Sequence, residues 1–172
     1  MKYTKGDTVV YGGSGVCKVD DIKDISFYHE RPQKYYILKP LFTKQQELVV
    51  YVPYDNEKLV SRMQPVISKE EAIKLIDDIS DVKLEWIEDR NQRKDTYGSI
   101  VTSGSRREIV DVISLIRNHR ATLEAEGKRL NMQDEKLLVE AERRMNAEFA
   151  VALDIDFDKV EAYISDKAAA AI

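Results

Sequence analysis

A single tryptophan, Trp86, stands in the stretch "DVKLEWIEDRNQRKDTYGSI", followed within eight residues by Glu88, Asp89, Arg90, Arg93 and Lys94. A large aromatic ring beside guanidinium and ammonium groups can stack on bases or wedge between base steps while the cations hold phosphates. The same grouping also describes a buried anchor around which basic side chains snorkel. Spacing alone leaves both readings open. Advancing about 100° per residue, a helix over residues 83–97 would set Arg90 roughly 40°, Arg93 and Tyr97 roughly 20° and Lys94 roughly 80° from Trp86. Glu88 and Asp95 would then point away, and Leu84 and Ile87 would meet the interior.

Other groups with chemical potential do not assemble into a catalytic set. "GGSG" at residues 12–15 lacks the Lys and Ser/Thr of a phosphate loop and precedes a strand rather than a helix, so it reads as a turn. "TSGS" at 102–105 departs from G-x-S-x-G, leaving Ser103 and Ser105 as turn and cap residues. His29 and His119 fall in separate regions and Cys17 is the lone cysteine, which gives neither a metal-ligand spacing nor an internal disulfide. We expect no catalytic residue, no metal site and no cofactor, and both histidines at the surface.

Charge is uneven along the chain. The net formal charge is −4, yet residues 83–107 carry six basic against four acidic side chains while residues 108–172 carry nine against fourteen. Any grip on phosphates must therefore be local. With 43% hydrophobic and 34% charged residues, the chain has a globular composition and lacks a run of the roughly 18 apolar residues needed to cross a membrane. The start "MKYTKGD" has no apolar stretch after its lysines, and a cytoplasmic location is expected.

The elements that must position these residues change character midway. "DTVVY", "GVCKVDDI", "KYYILKP" and "QELVVYVP" are short β-branched and aromatic runs, expected to form a small SH3-like or Tudor-like barrel over residues 1–62. In the last run Leu48, Val50 and Val52 alternate with Glu47, Val49 and Tyr51. Both faces are largely apolar, so Val49 and Tyr51 would face outward to a partner. From residue 66 to 172 the pattern is helical, with about five helices in a compact all-α domain. Ser68 with Glu71 and Ser105 with Glu108 form capping boxes, Asn131 caps a third long helix, and Asp154 or Asp156 opens the last. The overall class is α+β with two domains. The terminal "AAAAI" is expected to fray.

Order and spacing of these segments resemble the CarD/CdnL family of bacterial transcription regulators, whose N-terminal module is shared with transcription-repair coupling factors. "KGDTVVYGGSGVCKVDDI", "YYILKP", "LVVYVP" and the tract from Trp86 through "RNQRKDTYGSIVTSGSRREIVDVISLIR" carry the likeness, which is nearly full length. It implies a Tudor-like domain that docks on the RNA polymerase β subunit by strand addition, through Val49, Val50 and Tyr51 with Phe27 nearby. It implies also a helical domain at promoter DNA on the upstream edge of the transcription bubble, with Trp86 as the wedge and Arg90, Arg93 and Lys94 as phosphate contacts. Such a protein works as a monomer and is not an enzyme. The sequence departs from the family at Tyr51 and Ile25, where some members place arginines, so the docking surface is expected to be more apolar here.

Overall fold

The computed structural model describes residues 2–43 and 48–170, which form two compact units divided between Val66 and Ile67. Glu47, expected on an outward strand face, and the last two residues of the terminal alanine-rich tail lie outside the described residues.

The first unit is an antiparallel sheet of β1 (Thr8–Tyr11), β2 (Val16–Ile25), β3 (Gln33–Pro40), β4 (Val50–Pro53) and β5 (Met63–Pro65), in the order β4-β3-β2-β1-β5. The last strand returns beside the first, the order of SH3-like and Tudor-like folds. A one-turn helix, α1 (Glu57–Val60), capped by the Asn56 side chain, precedes it. Strand β5 was not among the expected strands: its three residues give too short a pattern to read. It nevertheless pairs Met63 with Tyr11 and Pro65 with Val9, and the Tyr3 hydroxyl donates to the Met63 carbonyl at 3.0 Å.

Parity along β2 explains the core. Cys17 and Val19 point inward, opposite Pro40 and Leu38, whereas farther on it is Ile22 that faces the core, opposite Tyr36. A register shift between Val19 and Asp21 accounts for the switch from odd to even positions. An extra residue in one strand flips every later side chain and sharpens the local bend. The "GGSG" segment is a turn, with Gly12 at φ 45° and Gly15 at φ 69° in conformations that a side chain would strain.

The second unit holds α2 (Lys69–Asp77), α3 (Arg90–Ser103), α4 (Arg106–Ala125), α5 (Met132–Leu153) and α6 (Val160–Ala170). Both capping boxes form: Ser68 accepts from the Glu71 amide and Ser105 from the Glu108 amide, with each glutamate reaching back. Asn131 caps α5. Asp156 precedes a 3-10 turn, Phe157–Lys159, that leads into α6, whereas Asp154 ends α5 in the left-handed region at φ 54°. Ile109, Val112 and Ile116 of α4 meet Leu138, Ala141, Met145 and Phe149 of α5 in one buried core. Their spacings of three and four make one apolar stripe on each helix.

The corner between α3 and α4 is closed by Gly104, whose amide bonds the Ile100 carbonyl at 2.7 Å. A Cβ placed there would lie 2.7 Å from that carbonyl oxygen. Because this neighbour is backbone, it cannot rotate away. Gly104→Ala is expected to cost about 1–3 kcal/mol, in the range of overpacking changes, seen as a lower denaturation midpoint; an unchanged midpoint would show that the corner yields freely.

Candidate functional site

Trp86 is not on a helix. Helix α3 starts at Arg90 because Asp89 is its N-cap, the side chain accepting from the Gln92 amide at 2.8 Å. Upstream, Val82, Leu84 and Trp86 are half-buried and alternate with exposed Lys83 and Glu85, the period of an extended chain. The helical face expected for residues 83–97 is therefore replaced by an extended strap followed by a helix. Both the "V-K-L-E-W" alternation and the Asp89 cap were present in the sequence as signals for this arrangement.

An extended strap has no ladder or helix to satisfy its backbone, and here side chains do so. The Lys83 and Leu84 amides donate to Asp111 Oδ2 at 3.0 and 3.3 Å. The Tyr97 hydroxyl donates to the Glu85 carbonyl at 2.6 Å and accepts from the Ile87 amide at 3.2 Å. Arg93 Nη1 donates to the carbonyls of Ile87 and Glu88 at 2.8 and 3.1 Å. Residues from α3 and α4 thus hold the chain on both sides of Trp86. Burial pushes the Tyr97 phenol above its ordinary pKa, so it remains a neutral donor.

Arg93 does not join an exposed basic face. It is 5% exposed, and its Nε and Nη2 meet Asp134 Oδ1 and Oδ2 at 3.0 and 2.7 Å. Asp134 accepts a further bond from Asn131 Nδ2 at 2.7 Å. With its donors committed inside, Arg93 is a structural cation rather than a surface one. Its guanidinium also lies 4.5 Å from the Trp86 ring centroid. His119 of α4, expected at the surface, is half-buried and stacks on Trp86 at 4.2 Å, and Tyr97 meets the ring edge-on at 6.2 Å. Trp86 as a residue is half-buried rather than fully enclosed.

Arg90 and Lys94 are exposed, and with Gly98 they form one stripe of α3. They line a groove of about 680 Å³ whose other wall is α5, through Met132, Gln133, Lys136 and Leu137. Sequence reasoning missed Lys136, which lies 42 residues beyond Lys94; only the packing of α3 against α5 brings it across. Three cations and no carboxylate line this groove, a local field that the acidic sum of the chain conceals.

In the first unit, β4 is an edge strand. The Tyr54 amide bonds the Lys34 carbonyl at 2.9 Å, so by antiparallel alternation Val52 and Val50 bond to β3 while Tyr51 directs its N–H and C=O outward. Pro53 supplies no N–H there. The Tyr51 side chain is 44% exposed and packs edge-to-face with Phe27 at 5.3 Å and Tyr35 at 6.3 Å, Phe27 and Tyr35 lying 5.4 Å apart. Val49 and Val50 are half-buried just ahead of it. Three rings and an open hydrogen-bonding edge therefore share one border of the sheet. Among the described residues, no group of three or more His, Cys, Asp or Glu could hold a metal, and no helix is long and apolar enough to cross a membrane.

Residues 3–67 match the family model of the CarD-like/TRCF RID domain. No curated protein matches the chain. The matched span covers the whole sheet with α1, including the open edge and the three rings.

Breaking the Arg93–Asp134 pair from one side leaves a buried charge without its partner. Asp134→Ala is expected to cost about 3–5 kcal/mol and to change Trp86 fluorescence as the strap loosens. A variant that kept full stability in urea denaturation would mean that the pair is dispensable.

Proposed function

We propose that this chain, whose residues 3–67 match the CarD-like/TRCF RID domain, is a CarD-like transcription factor that binds RNA polymerase through its first unit and stabilises the promoter open complex. The domain family is non-enzymatic and binds RNA polymerase. In this reading the protein acts as a monomer, and a strand of the polymerase β subunit adds to β4. The single observation that carries it is the open edge at Tyr51, flanked by Phe27 and Tyr35, within the matched domain. Strand addition uses the free N–H and C=O groups for affinity and neighbouring side chains for specificity.

The second unit then meets DNA at the upstream edge of the bubble. The half-buried Trp86 contacts the melted junction, and Arg90, Lys94 and Lys136 hold phosphates. Arg93 contributes from inside, by fixing the strap and lying over the indole. Binding the melted state better than the duplex shifts promoter opening by the difference in affinity and no further. Tethering to polymerase raises the effective concentration, so three cations in an acidic protein suffice.

A second reading has its own support. Trp86 packs against the hydrophobic core and stacks on His119, as an anchor in a purely structural helical unit of a protein-interaction adaptor would. Trp86→Ala separates the two. The wedge reading expects a folded protein whose open complexes decay faster at a responsive promoter. The anchor reading expects a loss approaching the about 3–5 kcal/mol of large aromatic truncations. Full stability with an unchanged open-complex lifetime would sink the wedge.

Docking is tested separately. Tyr51→Asp is expected to abolish capture of a purified polymerase β fragment while leaving the circular dichroism spectrum intact, and undiminished capture would refute the β4 edge. For the groove, Lys94→Gln with Lys136→Gln should lower the slope of log affinity against log salt by about 2 on promoter DNA, near 0.9 for each phosphate that is no longer neutralised.

A further inference from the structure

The hairpin joining β2 to β3 is set in an unusual conformation. The Glu30 amide donates to the Phe27 carbonyl at 2.9 Å, closing a turn whose two central residues, Tyr28 at φ 51° and His29 at φ 65°, are both left-handed. The Ser26 hydroxyl donates to the Glu30 carbonyl across the loop. Two consecutive left-handed residues make the mirror-image turn that suits the twist of a hairpin, but Asn-Gly ordinarily supplies it. A tyrosine and a histidine carry Cβ atoms that oppose this conformation.

Tyr28 gains no burial in compensation: it is 95% exposed. The residue before it, Phe27, packs on Tyr35 and Tyr51 at the open edge of the sheet. An aromatic surface thus runs from β4 through Phe27 to a ring held out at the hairpin tip. Strain retained at an exposed aromatic, continuous with a binding edge, is the pattern of a contact ordered before its partner arrives.

We propose that Tyr28 is a second docking contact of the first unit, presented by the left-handed Tyr28–His29 turn. It enters an apolar recess, with a polar group for the hydroxyl, on the same polymerase partner whose strand adds to β4. This rests on the docking reading given above. The turn spares the complex the ordering of a loop on binding.

The test separates backbone conformation from side chain. His29→Gly alone relieves a left-handed residue but keeps Tyr28; Tyr28→Asn with His29→Gly installs the favoured turn and removes the ring. Both are expected to raise the denaturation midpoint of the full chain. The double variant is expected to weaken binding to purified RNA polymerase by about tenfold or more, the scale of an aromatic hot spot, while His29→Gly stays within about twofold of the wild type. Wild-type affinity in the double variant would overturn the proposal, as would a lowered midpoint in both variants. Unchanged polymerase affinity with loss of self-association would assign the tip to a second copy of the chain and equally overturn it. Tyr51→Asp, measured alongside, keeps the two ideas apart: loss of capture there with full capture by the double variant removes only the tip, whereas full capture by Tyr51→Asp removes the docking edge itself.

Discussion

The second unit depends on the buried ion pair between Arg93 and Asp134. Asp134 is fully buried and Arg93 nearly so, a desolvation that is tolerated only when the remaining donors and acceptors find partners. Here they do. Asp134 takes both nitrogens of the guanidinium fork and the Asn131 amide, while its own N–H bonds the Asn131 side chain. The remaining Arg93 nitrogen holds the strap at Ile87 and Glu88. One pair therefore joins α3, the start of α5 and the chain carrying Trp86.

Two more buried carboxylates act in the same manner. Asp111 receives two strap amides and pairs with Arg107 at 3.2 Å. Glu148 receives the Ile67 amide, where the second unit begins, and Arg106 Nε at 2.8 Å. Each acid sits on a long helix and ties irregular backbone to it. The strap is held by these hydrogen bonds together with Leu84, Trp86 and Ile87 packed against the core, which fixes the half-buried indole in one orientation.

In the first unit the governing constraint is the alternation of an antiparallel edge. The inward residues of β4 spend their backbone groups on β3, and the outward residue Tyr51 spends none. Side-chain display and free hydrogen-bonding capacity coincide at the same position. Unpaired edges invite association, and Pro53 limits this one to a short stretch. In the proposed docking, an edge this short leaves part of the affinity to neighbouring side chains such as the ring cluster beside it.

Much of the fold was legible because it rests on local rules. Both capping boxes, the Asn131 cap, the glycine turn, four of the five strands and the helical stripe of α4 follow from residues within a few positions of one another. The inward face of Val50 and Val52 and the outward face of Tyr51 were legible for the same reason, whereas Leu48, expected inward, is exposed ahead of the strand, and the edge position of the strand was implied by the family resemblance rather than by alternation. Strand β5 escaped because three residues ending in proline carry no period, and it exists only through pairing with β1. The strap around Trp86 was misread as helix because regular spacing of Arg90, Arg93 and Tyr97 fits a helix that in fact begins only at Arg90.

By itself, then, the sequence determined the element types, the change from sheet to helices, and an aromatic-basic segment around Trp86. Tertiary structure decided which cations are available. Arg93 and Lys94 are neighbours in the chain, yet one is consumed by Asp134 and the other lies open in a groove with Lys136. The physical reason is that a charge's role depends on its desolvation and its partners, and those come from residues some forty positions away that no local pattern identifies.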